Sequence, residues 1–134
     1  MVNNELFSNF ERKVLNTMVS DSPRYKEILF KQLNNSLISR EKTKYYSLTF
    51  LKVKENTIKL PENGRSGIIL EMIIYNDKKI TDVLLHARNG YIYELEIYNA
   101  DSSEIDYNAK IVNYEIIALS ENWGGKSASR KIFE

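Results

Sequence analysis

The sequence contains no cysteine, and this absence excludes disulfide bonds, thiolate metal sites and a thiol nucleophile. It also lacks a charge excess of either sign, since 19 basic and 18 acidic residues give a formal net charge of +1. Dedicated nucleic-acid-binding domains usually carry a clear basic excess, so we expect no direct nucleic-acid partner. No apolar run approaches the ~20 residues that span a bilayer, and the polar N-terminus is unlike a signal peptide. We therefore expect a soluble, cytoplasmic protein without a membrane partner.

The 134 residues suffice for one ordinary domain, and their apolar pattern changes period once along the chain. Apolar residues recur every three or four positions over 3–19 and over 22–35, which predicts two amphipathic helices. Ser22 and Pro23 suit the beginning of the second helix. The tail at 120–134 is rich in glycine, serine and lysine, and we expect it to be loose. After residue 36 the period becomes two, which predicts strands at about 45–51, 67–75, 79–87, 91–99 and 110–119.

These elements predict an α+β fold, with two N-terminal helices packed on one face of an antiparallel sheet of five or six strands. The hairpin around Asn89-Gly90 decides which side chains share a face. A three-residue loop with Gly90 in a left-handed bulge would place Val83 opposite Leu95 and give one apolar face, so we favour it over a two-residue turn. The opposite face is then predicted to mix carboxylates with aliphatic and aromatic groups: Ile69, Glu71, Ile73, Tyr75, Asp82, Leu84, His86, Ile92, Glu94, Glu96 and Tyr98.

His86 is the only histidine of the chain. A catalytic histidine needs a nucleophile or an orienting carboxylate within hydrogen-bond reach, and Glu71 or Glu94 could lie one strand away. No nucleophile motif accompanies it, and one histidine cannot form a histidine-rich metal site. A partly exposed strand histidine is the favoured interpretation, and we expect no catalytic residue, metal or cofactor.

Four other patterns have simple structural interpretations. Gly124-Gly125-Lys126-Ser127 lacks the first glycine and the following helix of a phosphate-binding loop, which favours a flexible tail. The acidic segment 101–106 lacks the central glycine of a calcium loop and is expected to be a solvated turn. Glu94 and Glu96 on one sheet face lack the contrasting environments that a hydrolytic pair requires. The alternating lysines are typical of a protected sheet edge rather than an RNA platform: Lys42, Lys44, Lys52 and Lys54.

Three interpretations of the mixed face stay open. It could simply be wetted by water, as many antiparallel sheets are. It could be covered by the tail or by the segment 36–44. It could also be a docking surface, since apolar patches rimmed by charge mark contact sites.

The two helices followed by the meander with GYIYELEIYNAD, and the segment YKEILFKQLNNSLISREKT, resemble small bacterial immunity proteins encoded beside polymorphic or contact-dependent toxins. The resemblance implies a non-enzymatic protein that neutralises a cognate toxin domain by occluding it. An acidic surface with aromatic anchors suits a basic cleft such as that of a nuclease toxin. The partner-binding residues would then be Glu71, Tyr75, Asp82, Leu84, His86, Glu94, Glu96 and Tyr98.

Two alternatives compete with this interpretation. The same face could make the chain a homo-oligomeric interaction or scaffold domain, so the sequence allows a monomer or a homodimer. Less strongly, His86 in a pocket would suit a small enzyme or ligand carrier.

Overall fold

Seven antiparallel strands form one sheet in the computed structural model, which describes residues 2, 6–21, 25–61, 66–118 and, by backbone alone, 130–133. Two helices precede all the strands: α1 (Asn9–Ser20) and α2 (Lys26–Asn34). The strands are β1 (Ser36–Lys42), β2 (Tyr46–Val53), β3 (Gly67–Asn76), β4 (Lys79–Arg88), β5 (Tyr91–Asn99), β6 (Asn113–Ala118) and β7 (Arg130–Phe133). Their order across the sheet is β1-β2-β5-β4-β3-β6-β7.

Helix α1 begins where the chain supplies its own cap. The Ser8 hydroxyl accepts a hydrogen bond from the Glu11 amide, and the Glu11 carboxylate accepts one from the Ser8 amide. This reciprocal capping box satisfies amide groups that the first helical turn leaves without partners. The helix therefore starts six residues later than the apolar pattern alone predicted. Its buried stripe includes Val14, Leu15 and Met18, all with no exposed surface.

Helix α2 begins after Tyr25, whose φ of 60° places it in the left-handed region. The proposed cap at Ser22 and Pro23 lies outside the described residues. Leu29 and Leu33 are fully buried and pack with the α1 stripe against the inner residues of the sheet. Both helices thus cover the same face of the sheet, and the predicted α+β architecture is confirmed.

Two strands of the sheet were not predicted. The segment 36–42 forms edge strand β1 beside β2, so this part of 36–44 does not fold over the mixed face. At the other edge, Arg130–Phe133 pair with β6 as β7 within the tail that was expected to be loose. Residues 120–129 of that tail lie outside the described residues. The two additions bring the sheet to seven strands rather than five or six.

The predicted register of the β4–β5 hairpin is wrong. Asn89-Gly90 form a two-residue turn, with φ of 53° and 88°, and Arg88 lies opposite Tyr91. One residue, Tyr93, is then bulged out of β5, so that Ala87 pairs with Ile92 while His86 pairs with Glu94. The bulge resets the alternation of side chains that the tight turn would otherwise have imposed. The face predicted for Glu94 is therefore correct, although the bulge lies three residues beyond Gly90.

A second register shift separates the Ile68–His86 pair of β3 and β4 from the Leu70–Leu85 pair. It leaves Ile69 without a pairing partner on β4, and its side chain is fully buried in the core. The turn at the other end of this hairpin pairs Asn76 with Lys79, as predicted.

Candidate functional site

The side of the sheet opposite the helices carries most of the sequence-predicted site residues, and we call it the acidic face. The helices, together with Leu60 and Ile105 from the long loops, belong to the core on the other side. On the acidic face most of the strand residues are half-buried or exposed, but Glu115 of β6, which lies opposite Ile73, is only 2% exposed. The members of this face are Tyr46, Leu48 and Phe50 on β2; Glu94, Glu96 and Tyr98 on β5; Asp82, Leu84 and His86 on β4; and Ile68, Glu71, Ile73 and Tyr75 on β3.

Strand pairing arranges these side chains in rows that run across the sheet. The central row alternates acidic and aliphatic groups in the order Glu41, Leu48, Glu96, Leu84 and Glu71. Each carboxylate of this row is therefore flanked by leucine rather than by another acid. The sequence had placed Glu94 opposite Leu84 and Glu96 opposite Asp82, and the two-residue change in register corrects both pairings.

A second row places Tyr46 opposite Tyr98, Tyr98 opposite Asp82, and Asp82 opposite Ile73. Beyond it, Tyr75 is 37% exposed, and its hydroxyl donates to Glu115 at 3.1 Å. The eight predicted partner-binding residues thus share one face, and the structure brings the tyrosines next to the carboxylates.

Three of the aliphatic side chains that were expected to be exposed on this face are not. Ile69 and Ile92 are fully buried in the core. Ile69 is the residue of β3 that the register shift leaves unpaired on β4, and Ile92 faces inward because the two-residue turn pairs it with the buried Ala87. Leu84 stays on the acidic face but is only 9% exposed between its neighbours. Leu84 therefore offers little contact area to a partner.

Strand β2 supplies the exposed aromatic surface that the sequence analysis did not assign to this face. Phe50 is 39% exposed and lies opposite Glu94, while Tyr46 donates a hydrogen bond to Glu41 at 2.8 Å. The alternation of Tyr46, Leu48 and Phe50 did predict a strand. Its pairing with β5, more than forty residues later in the chain, has no local signal.

His86 lies at the middle of a small cluster with two glutamates. Its Nε2 atom is 3.1 Å from Glu96 Oε1, and Glu94 lies directly opposite it on β5. One ligand atom from each of His86, Glu94 and Glu96 lies within 4.8 Å of the others. All three side chains are half-buried, and an imidazole nitrogen with two carboxylates is a donor set that could hold a divalent ion.

The electrostatic environment of the acidic face is dominated by its carboxylates. Burial, followed by the charges of Asp82, Glu96 and Glu71, raises the pKa of the Tyr98 hydroxyl. No lysine or arginine within the described residues forms an ion pair with Asp82, Glu94 or Glu96. Arg88 lies near the Asn89-Gly90 turn, with its guanidinium 4.3 Å from the Tyr93 ring. The centre of the face is therefore negative.

The lysines singled out in the sequence are dispersed rather than gathered on one platform. Lys42, on edge strand β1, places its ammonium group 4.1 Å from the centre of the Tyr107 ring, and Lys44 lies 3.9 Å from Glu104. Lys52 lies on β2, which is an inner strand between β1 and β5. Edge protection is thus wrong for Lys52 and fits only Lys42.

The other motifs are resolved where the structure describes them. Asp101 accepts hydrogen bonds from the Ser103 amide at 3.0 Å and from its hydroxyl at 2.5 Å, so the segment 101–106 begins as the predicted exposed turn, whereas Ile105 near its end is buried in the core. The segment 124–127 lies outside the described residues. Neither described helix, at 12 and 9 residues, is long and apolar enough to cross a membrane.

Comparison with known proteins identified no relative of this chain. No family model, curated protein or solved structure matches the chain. The resemblance to immunity proteins therefore stays a prediction, and the geometry of the acidic face carries the functional argument.

Proposed function

We propose that this protein is an immunity-type inhibitor that binds a basic toxin domain through its acidic face and occludes the toxin's substrate cleft. The observation that carries the proposal is the arrangement of Glu71, Asp82, Glu94 and Glu96 on the same side of the sheet as Tyr98 and Tyr75. That combination, placed on a rigid scaffold, is complementary to a surface that binds polyanions such as nucleic acid.

The size of the face is compatible with a specific complex. Strands lie about 4.8 Å apart and rise about 3.3 Å per residue, so about seven residues on each of β1, β2, β5, β4 and β3 present roughly 550 Å² before side-chain relief is included. Stable complexes bury about 800 Å² on each partner. A toxin that covers most of the acidic face and part of its margin would reach that value.

The side chains divide into two physical roles. The carboxylates of Asp82, Glu94 and Glu96 provide the long-range attraction that speeds association and that salt weakens. Tyr75 and Phe50, both more than a third exposed, provide apolar area that is lost from water on contact.

The test uses the protein encoded by the adjacent gene, with its C-terminal domain expressed as the candidate toxin in a bacterial host. We expect co-expression of this chain to restore growth, and the purified pair to form a 1:1 complex with an association rate that falls as salt rises. The double variant Glu94→Lys and Glu96→Lys should weaken binding by a factor of about 100 or more, because it places like charges against a basic surface.

The matched control is the double variant Glu27→Lys and Glu55→Lys, which makes the same change in net charge at exposed positions away from the acidic face. It should protect as well as the wild type. The proposal would be contradicted if the Glu94→Lys and Glu96→Lys double variant still protected the host while the control variant did not. So would an adjacent protein that this chain neither binds nor neutralises, or a wild-type chain that sediments as a dimer with its acidic face buried.

A further inference from the structure

We propose that His86, Glu94 and Glu96 form a binding site for one divalent transition-metal ion of the zinc class. The three residues also belong to the acidic face, but this proposal does not rest on toxin binding, and the isolated chain is sufficient to test it. Its donor set is one imidazole nitrogen and two carboxylates, which join adjacent strands β4 and β5.

The spacing of the donor atoms fits coordination to a single ion. His86 Nε2 and Glu96 Oε1 lie 3.1 Å apart. Two ligands bound to zinc at about 2.0–2.2 Å, with angles between octahedral and tetrahedral, are separated by about 2.9–3.5 Å. One ligand atom from each of the three residues lies within 4.8 Å of the other two, so binding to one ion requires a glutamate side chain to rotate and shorten the longest separation.

The electrostatics favour a cation between these groups. Glu94 and Glu96 are two residues apart on one strand and point to the same face, where like charges repel. Within the described part of the chain, neither of them forms an ion pair with lysine or arginine. A divalent ion would neutralise both carboxylates and would accept the lone pair of a neutral imidazole.

The bulge at Tyr93 is what assembles the three ligands. Without it, the turn register would pair His86 with Tyr93 and would direct Glu94 toward the core. With it, Glu94 lies opposite His86, and the Tyr93 ring packs 5.9 Å from the imidazole. Bulges commonly redirect a side chain at a functional position.

The donor chemistry distinguishes between classes of metal. Calcium takes six to eight oxygen ligands, more than this cluster offers, whereas an imidazole with two carboxylates suits zinc, manganese or iron(II). Three protein ligands leave a coordination position open to water or to a ligand from another molecule.

The decisive measurement exploits the presence of a single histidine in the chain. Zinc chloride is titrated into the full-length, tag-free protein, and two signals are followed: the heat of binding and the imidazole nitrogen resonances. We expect one zinc per chain and a displacement of the His86 ring signals that saturates at the same stoichiometry.

The variants His86→Gln, Glu94→Gln and Glu96→Gln should each weaken zinc binding by at least about tenfold. Asp82→Asn is the matched control, because it removes a carboxylate from the same face without touching the cluster, and it should change affinity less than twofold. Circular dichroism and the amide spectrum establish that each variant is folded.

Imidazole resonances that stay unmoved at millimolar zinc would overturn the proposal, and this result requires no variant. Equal weakening by Asp82→Asn and Glu94→Gln would also overturn it, because binding would then reflect diffuse negative charge. Neither result affects the toxin-binding proposal, whose test contains no added metal.

Discussion

The buried carboxylate of Glu11 provides a sharp test of how this fold is held together. Glu11 is 2% exposed, and both of its oxygens are used. Oε1 accepts from the Ser8 amide and from Arg40 Nη2, while Oε2 accepts from Arg40 Nε and the Thr49 hydroxyl. The network ties α1 to strands β1 and β2. The perturbation is Glu11→Gln, which keeps the shape of the side chain and removes its charge.

The expected magnitude follows from the geometry of Arg40. Because Arg40 donates to both oxygens of Glu11, either orientation of a glutamine places its NH₂ group against an arginine N–H. Removing one partner of a buried ion pair costs about 3–5 kcal/mol. The Arg40 side chain is 29% exposed and can recover some hydration, so we expect a loss of about 2–3 kcal/mol.

Urea denaturation at pH 7 measures this loss directly. For a domain of this size, a change of about 2–3 kcal/mol lowers the midpoint by about 1 M or more. The variant Arg40→Met and the double variant complete a double-mutant cycle and isolate the coupling between the two side chains. An unchanged midpoint for Glu11→Gln, or a coupling near zero, would show that the Glu11–Arg40 pair does not stabilise the fold.

The same carboxylate predicts a pH dependence. Burial raises the pKa of Glu11, but the hydrogen bonds from Arg40, Thr49 and Ser8 outweigh burial and leave that pKa below its usual value. A depressed native pKa gives stability that is complete above the unfolded pKa of about 4.3 and is lost as the pH falls through the native pKa. The wild type and Glu11→Gln should therefore differ most at pH 5–7, and the difference should shrink as the pH falls from the unfolded pKa through the lower native pKa. Parallel stability curves across this range would contradict the assignment.

Two further predictions concern the polar and backbone features that hold the turn at Gly90. Gln32→Leu should lower the free energy of unfolding by about 3 kcal/mol. The buried Gln32 amide donates to the Ile58 and Gly90 carbonyls and accepts from the Ile92 amide, each at 2.9 Å. A loss below about 1 kcal/mol in urea denaturation would show that water replaces these bonds. Gly90→Ala should lower the melting temperature more than Gly67→Ala, since φ is positive at both positions but only at Gly90 would the new Cβ lie 3.1 Å from the Lys59 side chain. Equal shifts in the two melting temperatures would argue against that contact.

Local pattern was sufficient for the elements whose causes are local. The 3.6-residue spacing of apolar side chains predicted both helices, and the period of two predicted the strands of the meander. The sequence also contains a local signal for the beginning of α1, since Ser8 and Glu11 have the spacing of a capping box. The prediction relied on the apolar pattern instead and placed the start of the helix too early. The exposed strand β1 has only one half-buried apolar position at its centre, Ile38, so its alternation was weak.

The bulges show where local reasoning reached its limit. The sequence correctly required the acids Glu94 and Glu96 to leave the apolar face, because burying them would be costly. It could not locate the residue that absorbs the change in register. Gly90 was the expected position, since glycine tolerates a left-handed conformation, yet the hairpin uses Gly90 in the turn and bulges at Tyr93.

The sequence alone determined the class of fold, the two amphipathic helices and the face on which the carboxylates of β4 and β5 lie, because side-chain periodicity and the cost of burying charge act within a few neighbouring residues. The position of β2 beside β5, the inward direction of Ile69 and Ile92, and the cluster of His86 with Glu94 and Glu96 became evident only from the folded chain. These features depend on pairing between distant segments and on the position of the β-bulge in each strand. The free energy that selects them comes from the packing of the whole sheet against the helices.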